Sequence, residues 1–249
     1  MFKIAWLLLV FIPLIIDWEQ TIDYIKESKN LYKKLRIRHF LLGLLSVVSV
    51  IIMTIILYDN FSIMRFGWLW SLFINNNPDN QVENTTDTSI MINIVSSIVI
   101  IILYVFLLII IPSLAQREEE IFREGAIESK FSIQLNKKVC KDKTIVPLLY
   151  QVFFGLIHMI MGIPLATACS LIISGIIFYL TAKHSFIRYY NDHIKNITYD
   201  NKEEEFVQYM KTYFGAEDYA VEQSTLVHSA HNIIVITAGI ITITITLFM

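Results

Sequence analysis

Three short segments carry acid–base side chains where the surrounding sequence is apolar. The first is Gln116-Arg117-Glu118-Glu119-Glu120-Ile121-Phe122-Arg123-Glu124-Gly125, the second Phe154-Gly155-Leu156-Ile157-His158, the third His228-Ser229-Ala230-His231-Asn232. An ionisable group at membrane depth is costly to keep there, so its presence points to work. Glu118 is suited to act as a general base on water. His228 and Asn232 are four residues apart and share one helix face, able to point into a cavity together. His231 falls about 60° off that face, which makes it an accessory or support residue. Glu119 and Arg123 can pair across one helical turn and hold the helix. Taken singly, each segment has a plainer reading: a charged helix end, a histidine satisfied by a neighbouring hydroxyl or carbonyl, a polar helix start.

The elements that must position these groups are membrane helices. Of 249 residues, 55% are hydrophobic and 17% charged, and the mean hydropathy is +0.57. A soluble domain carries about a quarter charged residues, so this chain lacks the polar surface for one. The net charge of -2 excludes a dedicated nucleic-acid binder, which needs a basic face. Cys140 and Cys169 supply neither a disulfide framework nor a short-spaced zinc pair. A span needs about 20 apolar residues. Phe40–Leu57 and Met91–Ile111 meet that length, with Pro112 ending the second. Thr144–Ala182 holds no charge but the titratable His158, and Gly162-Ile163-Pro164 divides it into helices over 144–161 and 164–182. The run Asn232–Met249 continues a helix that begins before His228. Ile4–Ile16 is a retained first helix, because Asp17-Trp18-Glu19 follows it in place of a cleavage pattern. Phe61–Ile74, with Arg65 and Trp68-Leu69-Trp70, suits an interfacial helix as well as a span.

The expected fold is therefore an all-α, polytopic membrane helix bundle of six to eight membrane-embedded helices around a catalytic cavity. It is an integral, multi-pass membrane protein, in the cell membrane if bacterial. Residues 1–112 supply amino-terminal transmembrane helices, with a basic loop at 17–39 that the positive-inside rule assigns to the cytoplasm. Residues 113–249 form the catalytic core, carrying a polar insert at 183–223. A helix from Glu118 to about Asn136, a basic turn at Lys137–Lys143 and the helix from Thr144 make an antiparallel hairpin that sets Glu118 level with His158. His228 enters from a separate helix. A carboxylate and two imidazoles converging in this way can activate a water and stabilise an oxyanion.

Glu118-Glu119-x-x-x-Arg123, Phe154-x-x-x-His158 and His228-x-x-x-Asn232 match in order the EExxxR, FxxxH and HxxxN motifs. On them the chain resembles the CPBP (Abi) family of CAAX proteases and bacteriocin-processing enzymes, which are intramembrane endopeptidases. The resemblance covers about residues 115–235. It implies that Glu118 with His158 activates the attacking water, that His228 and Asn232 hold the oxyanion, and that Glu119, Arg123 and Phe154 support the structure. It implies no cofactor; zinc bound by Glu118, His158, His228 and His231 is the mechanistic alternative, against which stands the missing HExxH pattern. Two features depart from the family: Glu124 stands where many members have Gly, and the 183–223 insert is long. The implied partners are the lipid bilayer and a peptide substrate, prenylated or bearing a leader. The alternative from another class is a non-catalytic membrane immunity or scaffold protein of the same fold.

Overall fold

The computed structural model describes residues 18–66, 87–128, 131–133, 139–141, 145–159, 163–195 and 202–248. In chain order these form α1 (Trp18–Lys34), α2 (Ile37–Asn60), α3 (Asp87–Glu119), a π-helical turn (Glu120–Glu124) and α4 (Gly125–Glu128). Then follow β1 (Phe131–Ile133), β2 (Val139–Lys141), α5 (Val146–Ile157), α6 (Leu165–Ile194) and α7 (Lys202–Phe248). The fold is an all-α bundle, and β1 and β2 make only a small antiparallel ribbon with Ser132 opposite Cys140. Among the described residues four stretches are long and apolar enough to cross a membrane: Ile37–Asn60, Ser97–Ile127, Leu165–Ile194 and Glu203–Thr246. The apolar α5 is shorter. The expected first helix at Ile4–Ile16 lies outside the described residues, as does Phe61–Ile74 beyond a single 3-10 turn at Ser62–Arg65.

The bundle buries serines and histidines among its apolar core and exposes large apolar side chains, as a lipid environment allows. On α2 the buried residues are His39, Gly43, Ser46, Val47 and Val50, while Leu41, Leu45, Ile52 and Ile55 are exposed. Lipid offers no hydrophobic gain for helix association, so close packing and interhelical hydrogen bonds hold the helices together. Ser46 bonds Ser174 at 2.8 Å and Thr54 bonds Ser170 at 3.0 Å. A Cβ on Gly43 would come within 2.8 Å of the His231 backbone nitrogen, so glycine is what lets α2 touch α7. These contacts fix relative direction. Arg38 meets Gln223 and Ser46 meets His231, eight residues further along each helix, so α2 and α7 run parallel in register.

Three expected elements differ in extent. The helix from Glu118 ends at Glu128 rather than near Asn136; β1 falls in the stretch expected to be helical and β2 in the expected basic turn. The helices expected at 144–161 and 164–182 run over Val146–Ile157 and Leu165–Ile194. Residues 183–194 and 202–223 prolong α6 and α7 beyond their apolar parts, with Phe186, Tyr190, Tyr213, Ala216 and Ala220 as a shared core. At 47 residues, α7 is about 70 Å long, more than twice a hydrocarbon core.

Pro112 does not end its span; it sits inside α3. Proline removes the amide that would bond the carbonyl four residues earlier, here Leu108. The Tyr32 hydroxyl of α1 donates to that Leu108 carbonyl instead. Next to it Ser113 donates its amide to Ser28 Oγ at 3.1 Å and its hydroxyl to the Tyr24 carbonyl at 2.7 Å. Thus α1 repairs the break that Pro112 makes. Tyr32→Phe should cost about 1–3 kcal/mol, the usual penalty of an unmet buried acceptor. Pro112→Ala restores the helical amide, so it should remove most of that penalty. A double-mutant cycle on reversible unfolding in detergent checks this, and a Tyr32→Phe cost unchanged in the Pro112→Ala background would overturn the account.

Candidate functional site

The site is built outward from Glu119, the last residue of α3. The π turn that follows is wider than an α-helical one, a device common at functional sites. It leaves Phe122 and Arg123 buried and sets Glu120 and Glu124 against the cleft beside α1. Glu119 is fully buried and ion-paired to Arg123, with Oε2 2.8 Å from Nε. Its Oε1 accepts a hydrogen bond from His228 Nδ1 at 2.9 Å, and its other oxygen accepts from the Ser224 hydroxyl. Arg123 in turn donates from Nη1 to Gln151 Oε1 at 2.6 Å and lies 4.7 Å over the Phe154 ring. Gln151 closes the chain by donating to the Pro147 carbonyl at 2.8 Å.

This network orients His228. Its Nδ1 is committed to Glu119, and its ring stacks on Phe178 at 4.6 Å and meets the Phe154 ring at 5.5 Å. The remaining nitrogen, Nε2, faces Glu118 Oε2 at 3.6 Å. That oxygen is buried and has no hydrogen-bond partner, although the Glu118 side chain as a whole is 38% exposed. A separation of 3.6 Å is too long for a direct hydrogen bond and leaves the pair able to tighten around a reacting group.

His158 follows the last turn of α5, where Nδ1 lies 2.7 Å from the Phe154 carbonyl and donates to it. The ring meets Phe154 at 5.1 Å, and Nε2 stays free to accept. Glu118 and His228 both lie within electrostatic reach of this imidazole. The close approach of α5 to α6 depends on Gly155, where a Cβ would come within 2.7 Å of the Ala168 carbonyl oxygen. His158, His228 and Asn232 line one cavity of about 330 Å³ with Phe154, Phe178 and Val47. The cavity runs on between α2 and α7 to Ile51 and Val235, whose side chains are 53% and 43% exposed on the apolar surface. Its walls are mostly hydrocarbon, with a few polar groups among them.

The structure thus brings Glu118, His158 and His228 together, with Asn232 on the same cavity wall one turn after His228. His231 lines the same cavity, with its Nδ1 bonded to Ser46 Oγ at 2.9 Å, and the Ser46 hydroxyl donates to Ser174. Glu119 and Arg123 are paired, as their spacing allowed, and Phe154 packs among Arg123, His158 and His228. Four polar participants were not anticipated: Ser46, Gln151, Ser174 and Ser224. Two had a signal, since Ser224 precedes His228 by one turn and Gln151 is a lone amide in an uncharged run. Among the described residues no three His, Cys, Asp or Glu side chains converge to hold a metal ion. No family model, curated protein or solved structure matches the chain.

A buried ion pair broken on one side leaves an uncompensated charge, at a cost of about 3–5 kcal/mol. Arg123→Met should therefore destabilise the protein by about that much, while Arg123→Met with Glu119→Gln should recover a large part. Unfolding free energies of these two variants and of Glu119→Gln alone, in detergent, check the coupling, and a loss in Arg123→Met below about 1 kcal/mol would contradict the network.

Proposed function

We propose that this protein is an intramembrane endopeptidase, multi-pass in the membrane (the cell membrane if bacterial). It hydrolyses a peptide bond near the end of a membrane-associated peptide or lipidated protein. The observation that carries the reading is the buried, unpartnered Glu118 Oε2 beside His228 Nε2, next to a largely apolar cavity that His158 and Asn232 also line. Glu118 takes a proton from a water that His158 orients through Nε2, and the hydroxide adds to the scissile carbonyl. His228 and Asn232 donate to the oxyanion. With Nδ1 held by Glu119, His228 presents Nε2 to the oxyanion. Collapse of the intermediate breaks the carbon–nitrogen bond, and Glu118 returns its proton to the leaving amine. The resemblance of the three motifs to the CPBP family supports the same assignment, including a mechanism without metal.

A second reading has its own support. Glu119, Arg123, Gln151, Ser224 and His228 bond one another without any substrate, as they would in a non-catalytic immunity or scaffold protein of the same fold. The two readings part at Glu118, which that network does not need. Comparative peptidomics of cells carrying wild type or Glu118→Gln should reveal peptides that only the wild type produces. With purified protein and such a peptide, Glu118→Gln should lower the rate by about 10²–10⁴-fold, as loss of a general base does. Asn232→Ala should lower it by about 10²–10³-fold. Identical peptidomes with the variant folded would favour the scaffold. An excess of 1,10-phenanthroline should leave the rate unchanged; inhibition reversed by zinc would replace the glutamate mechanism with a metal one.

A further inference from the structure

A second cavity, of about 620 Å³, lies where α1 passes into α2 and is walled by the carboxyl-terminal part of α6 and by α7. Five cations line it against two carboxylates. Lys34 is paired with Glu222, and Arg188 has only a loose contact with Asp192 at 4.0 Å. Arg38 is spent on neutral partners, Gln223 Oε1 at 2.6 Å and the His39 ring. Lys33 and Arg36 complete the set, and Arg36 stands at the amino-terminal end of α2, where the helix dipole adds positive potential. The excess of positive charge is concave and faces one volume, so it suits an anion with several acceptor oxygens.

The surroundings say which anion. Arg36 and Arg38 flank Ile37, which is 79% exposed, and the lipid-facing stripe of α2 continues directly from it through Leu41, Leu45 and Val48. A headgroup in the cleft would therefore have its chains against that stripe. We propose that this cleft binds the phosphate of an anionic phospholipid at the membrane–water boundary. The site is separate from the catalytic cavity and does not depend on the peptidase reading. It shares α7 with that cavity, however: Gln223 lines the cleft beside Ser224, which holds Glu119.

The test is native mass spectrometry of the full chain released from mixed phosphatidylglycerol and phosphatidylcholine vesicles, counting retained lipids. Wild type should retain phosphatidylglycerol with about tenfold preference. Arg36→Gln with Arg188→Gln should abolish the preference, and Arg36→Lys with Arg188→Lys, which keeps the charge, should retain most of it. Lys195→Gln with Lys211→Gln removes the same charge outside the cleft and should change nothing. Inorganic phosphate in excess distinguishes the source: displacement of phosphatidylglycerol means that the phosphate alone is read, and no displacement means that the acyl chains contribute. Equal retention of the two lipids by wild type would overturn the proposal. So would an equal loss in the Lys195/Lys211 variant, which would reduce the effect to general electrostatics.

Discussion

A carboxylate withdrawn from water must be surrounded by groups that replace its hydration, and Glu119 sets that requirement for the whole bundle. It is fully buried, and the effective penalty for burying one such ion is several kcal/mol even after relaxation. The compensation comes from three elements besides its own helix. Arg123 comes from the π turn, Ser224 and His228 come from α7, and Gln151 of α5 holds the arginine in place. Sliding α7 against α3 by one turn would strand the carboxylate, so helix register here is set by charge rather than by apolar packing. The same bonds leave His228 with one nitrogen fixed and one facing Glu118.

Away from that centre the helices hold together by weaker means. Hydrogen bonds between hydroxyls in membranes average about 0.6 kcal/mol, so Ser46–Ser174, Thr54–Ser170 and Ser28–Ser113 stabilise the bundle chiefly by specifying contact. Glycine makes such contact possible: at Gly43 and Gly155 any side chain would collide with the backbone of the facing helix. Both glycines lie beside histidines of the cavity, Gly43 against His231 and Gly155 three residues before His158. Close approach and site geometry are therefore one requirement, since moving either helix outward would open the cavity wall that the histidines form.

The sequence made the membrane class and the site's main groups legible, because ionisable residues are conspicuous against an apolar run. Glu118, His158 and His228 stood out in that way, and Glu119–Arg123 followed from a spacing of four. What stayed hidden has physical reasons. Serines on apolar helices are ordinary, so nothing local marked Ser46 as the partner of His231 or Ser174 as the partner of Ser46. Pro112 read as a helix end because sequence alone cannot reveal that Tyr32, 80 residues earlier, supplies the missing donor. The run Glu203-Glu204-Glu205 suits a solvated helix face, but nothing local showed that this helix is continuous with the apolar one through His228. Glu118 lies within electrostatic reach of His158, an approach expected through a longer helix than the one observed. Its geometry needs only that α3 and α5 be brought together, which Gly125 packing on Tyr150 and Arg123 bonding Gln151 accomplish.

The proposed peptide hydrolysis would have to reconcile an apolar substrate with a water molecule, and the surroundings of Glu118 bear on both. Its neighbours Gln116 and Glu120 line a cleft rich in carboxylates, including Glu27, Glu124 and Asp218, on the side where α1 lies. His158 and His228, by contrast, line the apolar cavity that reaches the lipid-facing surface at Ile51 and Val235. Glu118 itself is partly exposed yet has one oxygen buried against His228. A general base deeper in the cavity would lack water, and one further along α3 toward its exposed apolar half would lack the histidines. The level of the π turn is where both are within reach, and the ion pair of Glu119 with Arg123 across that turn holds Glu118 there.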